Sequence, residues 1–119
     1  MTVVIFDDDA VQIRLLEIVL EDKGLSFVNW RTCDHNCIPE VVDAIACDWL
    51  VPASWEPKKK KLIDLAIKSG VPTAIYTAGG INENILNETY PNSGLELVEK
   101  NHGAESIIEW LERKGIKGK

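Results

Sequence analysis

The sequence predicts an α/β fold, a parallel sheet with helices packed on both faces, and two observations carry that prediction. Short apolar runs alternate along the whole chain with segments of helical periodicity. Several of those runs also end on a residue with useful chemistry, namely Asp7 to Asp9, Asp48, Thr77 and Lys100. Strands of a parallel sheet would bring all such ends to one edge, where ligands bind in folds of this kind.

The elements follow in order. Val3 to Phe6 is a continuous apolar run, the pattern of a strand buried on both faces, and it meets three adjacent aspartates. In "AVQIRLLEIVLEDKG", Val11, Leu15, Leu16, Val19 and Leu20 recur at helical spacing, and Gly24 marks the stop. "LSFVNW" predicts a second strand through Phe27, Val28 and Trp30. Only the dozen residues of "RTCDHNCIPEVV", with Pro39 among them, separate it from the third run, so a helix there is shortened or missing. "DAIACDWLVP" holds the third strand and ends at Asp48. Pro57 fits the first turn of the next helix, where its missing N–H costs nothing. That helix runs through Leu62, Ile63, Leu65, Ala66 and Ile67 to Gly70. "VPTAIYTAGG" is a fourth strand, "INENILNETY" a weaker helix, "LELVEK" a fifth strand and "GAESIIEWLERKG" a closing amphipathic helix.

With 119 residues, one domain spanning 1–119 is the simplest organisation. A net charge of −6 argues against nucleic acid or an anionic membrane as partner. No apolar stretch approaches the roughly 20 residues of a membrane-spanning helix, and the basic-then-apolar pattern of a secretory signal is missing. Three cysteines, Cys33, Cys37 and Cys47, point to a reduced, cytoplasmic setting rather than a disulfide framework. "CDHNC" clusters Cys33, His35 and Cys37, but lacks a fourth ligand for zinc and reads as a loop. Lys58 to Lys61 reads as a solvated helix face, His102 as a surface residue, and the four tryptophans as packing, with Trp49 placed to sense events at Asp48.

The converging residues suit one chemistry. Clustered carboxylates favour a hard divalent cation, and Mg²⁺ takes carboxylate oxygens together with waters and phosphate oxygens. A carboxylate beside such an ion can attack a phosphoryl group and become an acyl phosphate. Thr77 can donate a hydrogen bond to that group, and Lys100 can neutralise it.

At this point the sequence resembles the CheY-like receiver domains of two-component response regulators, over essentially its whole length. "FDDD" resembles the acidic pair after the first strand, "CDWLVP" the phosphoacceptor block, "IYTA" the switch hydroxyl and "LVEK" the lysine ending the fifth strand. The resemblance implies a flavodoxin-like sheet of strand order 2-1-3-4-5. It implies Asp48 as phosphoacceptor and Mg²⁺ ligand, Asp8 as a direct Mg²⁺ ligand, Asp7 as a ligand directly or through water, and the backbone carbonyl of Leu50 as another. Thr77 would grip the phosphoryl group beside the small Ala78, and Lys100 would pair with it. Asp9 would only cap the first helix. The implied protein is a stand-alone receiver and not an enzyme. Its donor would be a sensor histidine kinase or a histidine phosphotransfer protein, and its output would run through a downstream protein. Two departures fall on signal transmission: Leu97 stands where receivers carry Tyr or Phe, and Asn101 where they carry proline.

Two other readings remain open. One is a receiver-fold interaction module that does not signal by phosphorylation. The other is a phosphatase of the haloacid-dehalogenase type, with Asp7 as nucleophile and Asp9 as acid/base. Against the latter, "AV" rather than glycine follows Asp9, and no acidic pair follows a later strand.

Overall fold

A computed structural model describes residues 1–30, 42–99 and 104–116. Five strands, β1 (Thr2–Phe6), β2 (Ser26–Asn29), β3 (Ala44–Asp48), β4 (Thr73–Thr77) and β5 (Glu96–Glu99), form one sheet in the order β2-β1-β3-β4-β5. Every pairing is parallel. Four α-helices lie among the described residues: α1 (Ala10–Asp22), α2 (Glu56–Ser69), α3 (Glu83–Thr89) and α4 (Ala104–Arg113). The architecture of the described residues, an all-parallel sheet of order 2-1-3-4-5 with helices on both faces, is the one the sequence predicts. The segment expected to hold a short second helix, along with Cys33, His35 and Cys37, falls on residues 31–41, outside the described residues.

Strand alternation sorts the apolar side chains into two layers. On one face Val3, Ile5, Ala44, Ala46, Ala74 and Tyr76 pack against Leu16 and Leu20 of α1 and Ile107, Trp110 and Leu111 of α4. The alanines of β3 and β4 leave room for the large Trp110, whose indole N–H donates to Glu96 at 3.1 Å. On the other face Val4, Phe6, Ile45, Cys47 and Ile75 pack against Leu62, Ile63 and Ala66 of α2 and Leu86 of α3. All five residues of β3 and all five of β4 are buried, as befits strands covered on both sides.

Helix ends follow local chemistry. The Asp9 carboxylate accepts from the N–H groups of Val11 and Gln12 at 3.0 and 3.2 Å, capping α1. Gly70, at φ +72°, gives α2 the left-handed residue that closes it. Pro57 sits in the first turn of α2, which a short 3-10 turn (Ala53–Trp55) leads into.

Helix α1 departs from its apolar spacing. It buries Ile13, Leu16 and Leu20 and leaves Val11, Leu15 and Ile18 exposed. Two apolar stripes run along this helix, and packing against the sheet and α4 buries only the first. Leu15 and Leu16 therefore predict opposite outcomes. Leu16→Ala, at a fully buried site, should cost about 2–5 kcal/mol of unfolding free energy in urea titration. Leu15→Ala should stay within about 0.5 kcal/mol of the unmutated protein.

Candidate functional site

The sheet register decides which strand ends meet. In the β1–β3 pair Phe6 lies opposite Cys47, so the next residues, Asp7 and Asp48, leave the sheet side by side. Asp8 joins them: one carboxylate oxygen from each of Asp7, Asp8 and Asp48 lies within 4.8 Å of the other two. Asp7 and Asp48 are buried and Asp8 is exposed, so the cluster is anchored inside and open on its outer side. Asp7 Oδ1 also accepts from the Asp9 N–H at 2.9 Å, which folds the 7–9 segment back over the end of β1. Asp9, at the head of α1, belongs to the cap and not to the cluster.

Thr77 ends β4 one residue beyond Tyr76, the partner of Asp48 in the β3–β4 register. It is buried, and its hydroxyl accepts from the Gly79 N–H at 3.1 Å and donates to the Gly79 carbonyl. This tight return needs Gly79 at φ +137° and Gly80 at φ +85°, conformations open to glycine. A Cβ on Gly80 would meet the Leu50 side chain at 3.4 Å, so the loops after β3 and β4 lie against each other. Leu50 itself is exposed, two residues beyond Asp48. Glu99 lies opposite Thr77 in the β4–β5 register. Lys100 follows it in sequence but lies outside the described residues, as do Asn101 and His102. Leu97 is half-buried on β5 and lines a groove with Ile81, Asn82, Glu83, Asn84 and Glu99.

The lysine run corrects the reading of a uniformly solvated face. Lys59 is buried, because α2 turns it toward the same side as Leu62, Ile63 and Ala66. Its ammonium donates to the Trp49 carbonyl at 2.7 Å and pairs with the Glu56 carboxylate at 3.0 Å. It also stands 4.3 Å from the centre of the Trp49 ring. The signal was present in the sequence: Lys59 precedes Leu62, Ile63 and Ala66 by three, four and seven residues, the spacing of one helix face.

A second contact the sequence did not announce is that of Gln12, whose side-chain amide donates to the Tyr76 hydroxyl and ties α1 to the strand level with Asp48. Burial, and then the nearby Asp7 carboxylate, push the Tyr76 hydroxyl well above its ordinary range. The Cys47 thiol, fully buried beside the acids, is likewise driven far up, chiefly by burial and against an opposing pull from Lys59.

Three carboxylates from two neighbouring strand ends, two of them buried, form an all-oxygen donor set that fits a hard divalent cation such as Mg²⁺. Softer metals would favour sulfur or nitrogen.

No family model matches the sequence, and no curated protein matches it. Solved structures do. A response regulator receiver domain protein from Clostridium thermocellum superposes with a TM-score of 0.68 at 17% identity, covering 95% of this chain and 92% of that one. A signal receiver domain of an HD domain-containing protein from Pseudomonas fluorescens Pf-5 gives 0.70 at 10% identity, with 95% and 92% covered. A response regulator receiver protein from Burkholderia phymatum gives 0.70 at 21% identity, with 98% and 97% covered. The chain thus has the receiver-domain fold. No helix among the described residues is long and apolar enough to cross a membrane.

The perturbed thiol makes a direct prediction. Native protein treated with iodoacetamide near pH 8 should leave the Cys47 peptide unmodified in a mass map, and urea should expose it to full labelling. Because the folded thiol and the Tyr76 hydroxyl both titrate above their unfolded values, their contribution to stability is complete below the ordinary thiol range. It should be lost as the pH rises above that range, seen as a falling urea midpoint.

Proposed function

With the receiver fold as premise, we propose that this protein is a phosphoacceptor signalling domain in which Asp48 takes a phosphoryl group with Mg²⁺ held by Asp7 and Asp8. The observation that carries this reading is the meeting of Asp7, Asp8 and Asp48 within 4.8 Å at the carboxyl edge of the sheet. A histidine kinase or histidine phosphotransfer protein is the proposed donor, a cytoplasmic setting the proposed location, and another protein the proposed target.

In the transfer, an oxygen of the Asp48 carboxylate bonds to phosphorus as the phosphorus–nitrogen bond of a phosphohistidine breaks. The bonding pair returns to the imidazole nitrogen. Mg²⁺, when bound, supplies positive charge to the transferring oxygens. Asp7 and Asp8 would hold it, with the Leu50 carbonyl as a further ligand. Burial fixes the Asp48 carboxylate before the reaction, so little reorganisation is needed. Thr77 would release its bonds to Gly79 and donate to a phosphoryl oxygen instead, and Lys100 would pair with another. That exchange at Thr77 would move the loop after β4, and with it the start of α3.

The phosphatase alternative loses ground because the Asp9 carboxylate, its acid/base candidate, is committed to capping α1. Leu97 keeps the interaction-module alternative in view. It fills with an aliphatic side chain the position from which an aromatic residue would report the site's occupancy.

Incubation with acetyl phosphate and Mg²⁺, followed by intact mass and peptide mapping, tests the proposal. One phosphoryl group on the peptide containing Asp48 is expected, with none in Asp48→Asn and none after chelation of the metal. An adduct on Asp7 would favour the phosphatase reading. No adduct at all would favour the interaction module.

A further inference from the structure

Lys59 is out of keeping with its surroundings. It occupies a helix face otherwise made of Leu62, Ile63 and Ala66, and only 6% of it is exposed. A charge placed there pays for desolvation that an apolar residue would avoid. Yet its three ammonium donors all have a destination: the Trp49 carbonyl at 2.7 Å, the Glu56 carboxylate at 3.0 and 3.1 Å, and the face of the Trp49 ring at 4.3 Å. Two of the three belong to the residue immediately after Asp48.

Trp49 is also held from its other side, because its N–H donates to the Tyr76 carbonyl at 3.1 Å. Both peptide groups flanking its Cα are therefore fixed, one by the neighbouring strand and one by Lys59. The next residue, Leu50, keeps only its own two backbone torsions to set where its carbonyl points. Glu56, at the first residue of α2, holds the ammonium in place from a position where the helix dipole favours a carboxylate.

We propose that Lys59 is a positioning residue for the acceptor loop: by gripping the Trp49 carbonyl and ring, it fixes the course of the backbone leaving Asp48 and so the geometry offered to Mg²⁺ and the phosphoryl group. This inference rests on the phosphoacceptor reading above. Lys59 acts through Trp49 and contacts neither the ion nor phosphorus in this scheme. It works as an outer-shell partner does in a metal site, where loss typically weakens metal binding about 10–100-fold.

The test follows Mg²⁺ and then beryllofluoride by tryptophan fluorescence in the unmutated protein, Lys59→Met, Glu56→Gln and Leu62→Ala. Lys59→Met keeps the aliphatic stem and removes the donors, so its Mg²⁺ dissociation constant should rise about tenfold or more, with beryllofluoride binding weakened alongside. Glu56→Gln keeps an oxygen facing Lys59 and should stay within about twofold. Leu62→Ala lowers the stability of the same helix at a buried site but leaves the loop gripped, so its Mg²⁺ affinity should also hold. That contrast separates positioning from mere stabilisation. Should Lys59→Met fail to fold, Lys59→Gln, with a shorter donor, should show the same direction of loss. Mg²⁺ affinity within about twofold of the unmutated protein in whichever Lys59 variant folds overturns the proposal. Equal losses in Lys59→Met and Leu62→Ala overturn it as well. If the unmutated protein binds neither Mg²⁺ nor beryllofluoride, the phosphoacceptor reading fails and this inference with it; normal binding in the unmutated protein and in the Lys59 variant sinks the inference alone.

Discussion

Everything at the upper edge of this molecule depends on forcing like charges together. Asp7 and Asp48 are buried, and with Asp8 they bring carboxylate oxygens to within 4.8 Å of one another. At that separation and an effective dielectric constant of about 20, two full charges repel by about 3 kcal/mol. A solvated loop would relax by letting its side chains swing apart. Here Asp7 and Asp48 cannot, because β1 and β3 are neighbours in the middle of the sheet and both acids sit where buried strand backbone ends. The packing of two helical layers thus holds an electrostatic arrangement that a divalent cation would convert from repulsion to attraction.

The loops around the acids carry their own restraints, and these differ in kind. The Asp9 cap sets the start of α1. Thr77 is tied to Gly79 through a local turn that a competing acceptor could replace, since both bonds lie within three residues. Trp49, by contrast, is held by groups from β4 and α2 that are distant in sequence and buried. Under the proposed phosphoacceptor reading, the Thr77 side would exchange partners while the Trp49 side stays still.

Much of this was legible in the sequence, for physical reasons. Val3 to Phe6 and the apolar runs within 43–52 and 71–80 read as strands because central parallel strands are apolar on both faces, and their ends marked the acids and the hydroxyl. Parallel pairing then dictated that those ends meet. Side-chain phase on helices was less legible. Val11 and Leu15 fit a helical stripe as well as Ile13 and Leu16 do, and only tertiary packing chooses between them. Lys59 was hidden for the opposite reason. A run of lysines suggests solvent, and its spacing to Leu62, Ile63 and Ala66 outweighed its chemical type once an acceptor lay at the end of the side chain. Gln12 and Tyr76 meet across 64 residues of chain, a contact that no local pattern encodes.

Whether the acid cluster holds a divalent cation can be seen directly in a crystal. Crystals of the unmutated protein soaked in Mn²⁺, an oxygen-seeking ion with measurable anomalous scattering, would reveal where a divalent cation settles. One strong anomalous peak is expected, bonded to carboxylate oxygens of Asp8 and Asp48, with Asp7 bonded directly or through a water. A peak at other surface acids only, or an acid cluster that stays empty at saturating Mn²⁺, would contradict that expectation.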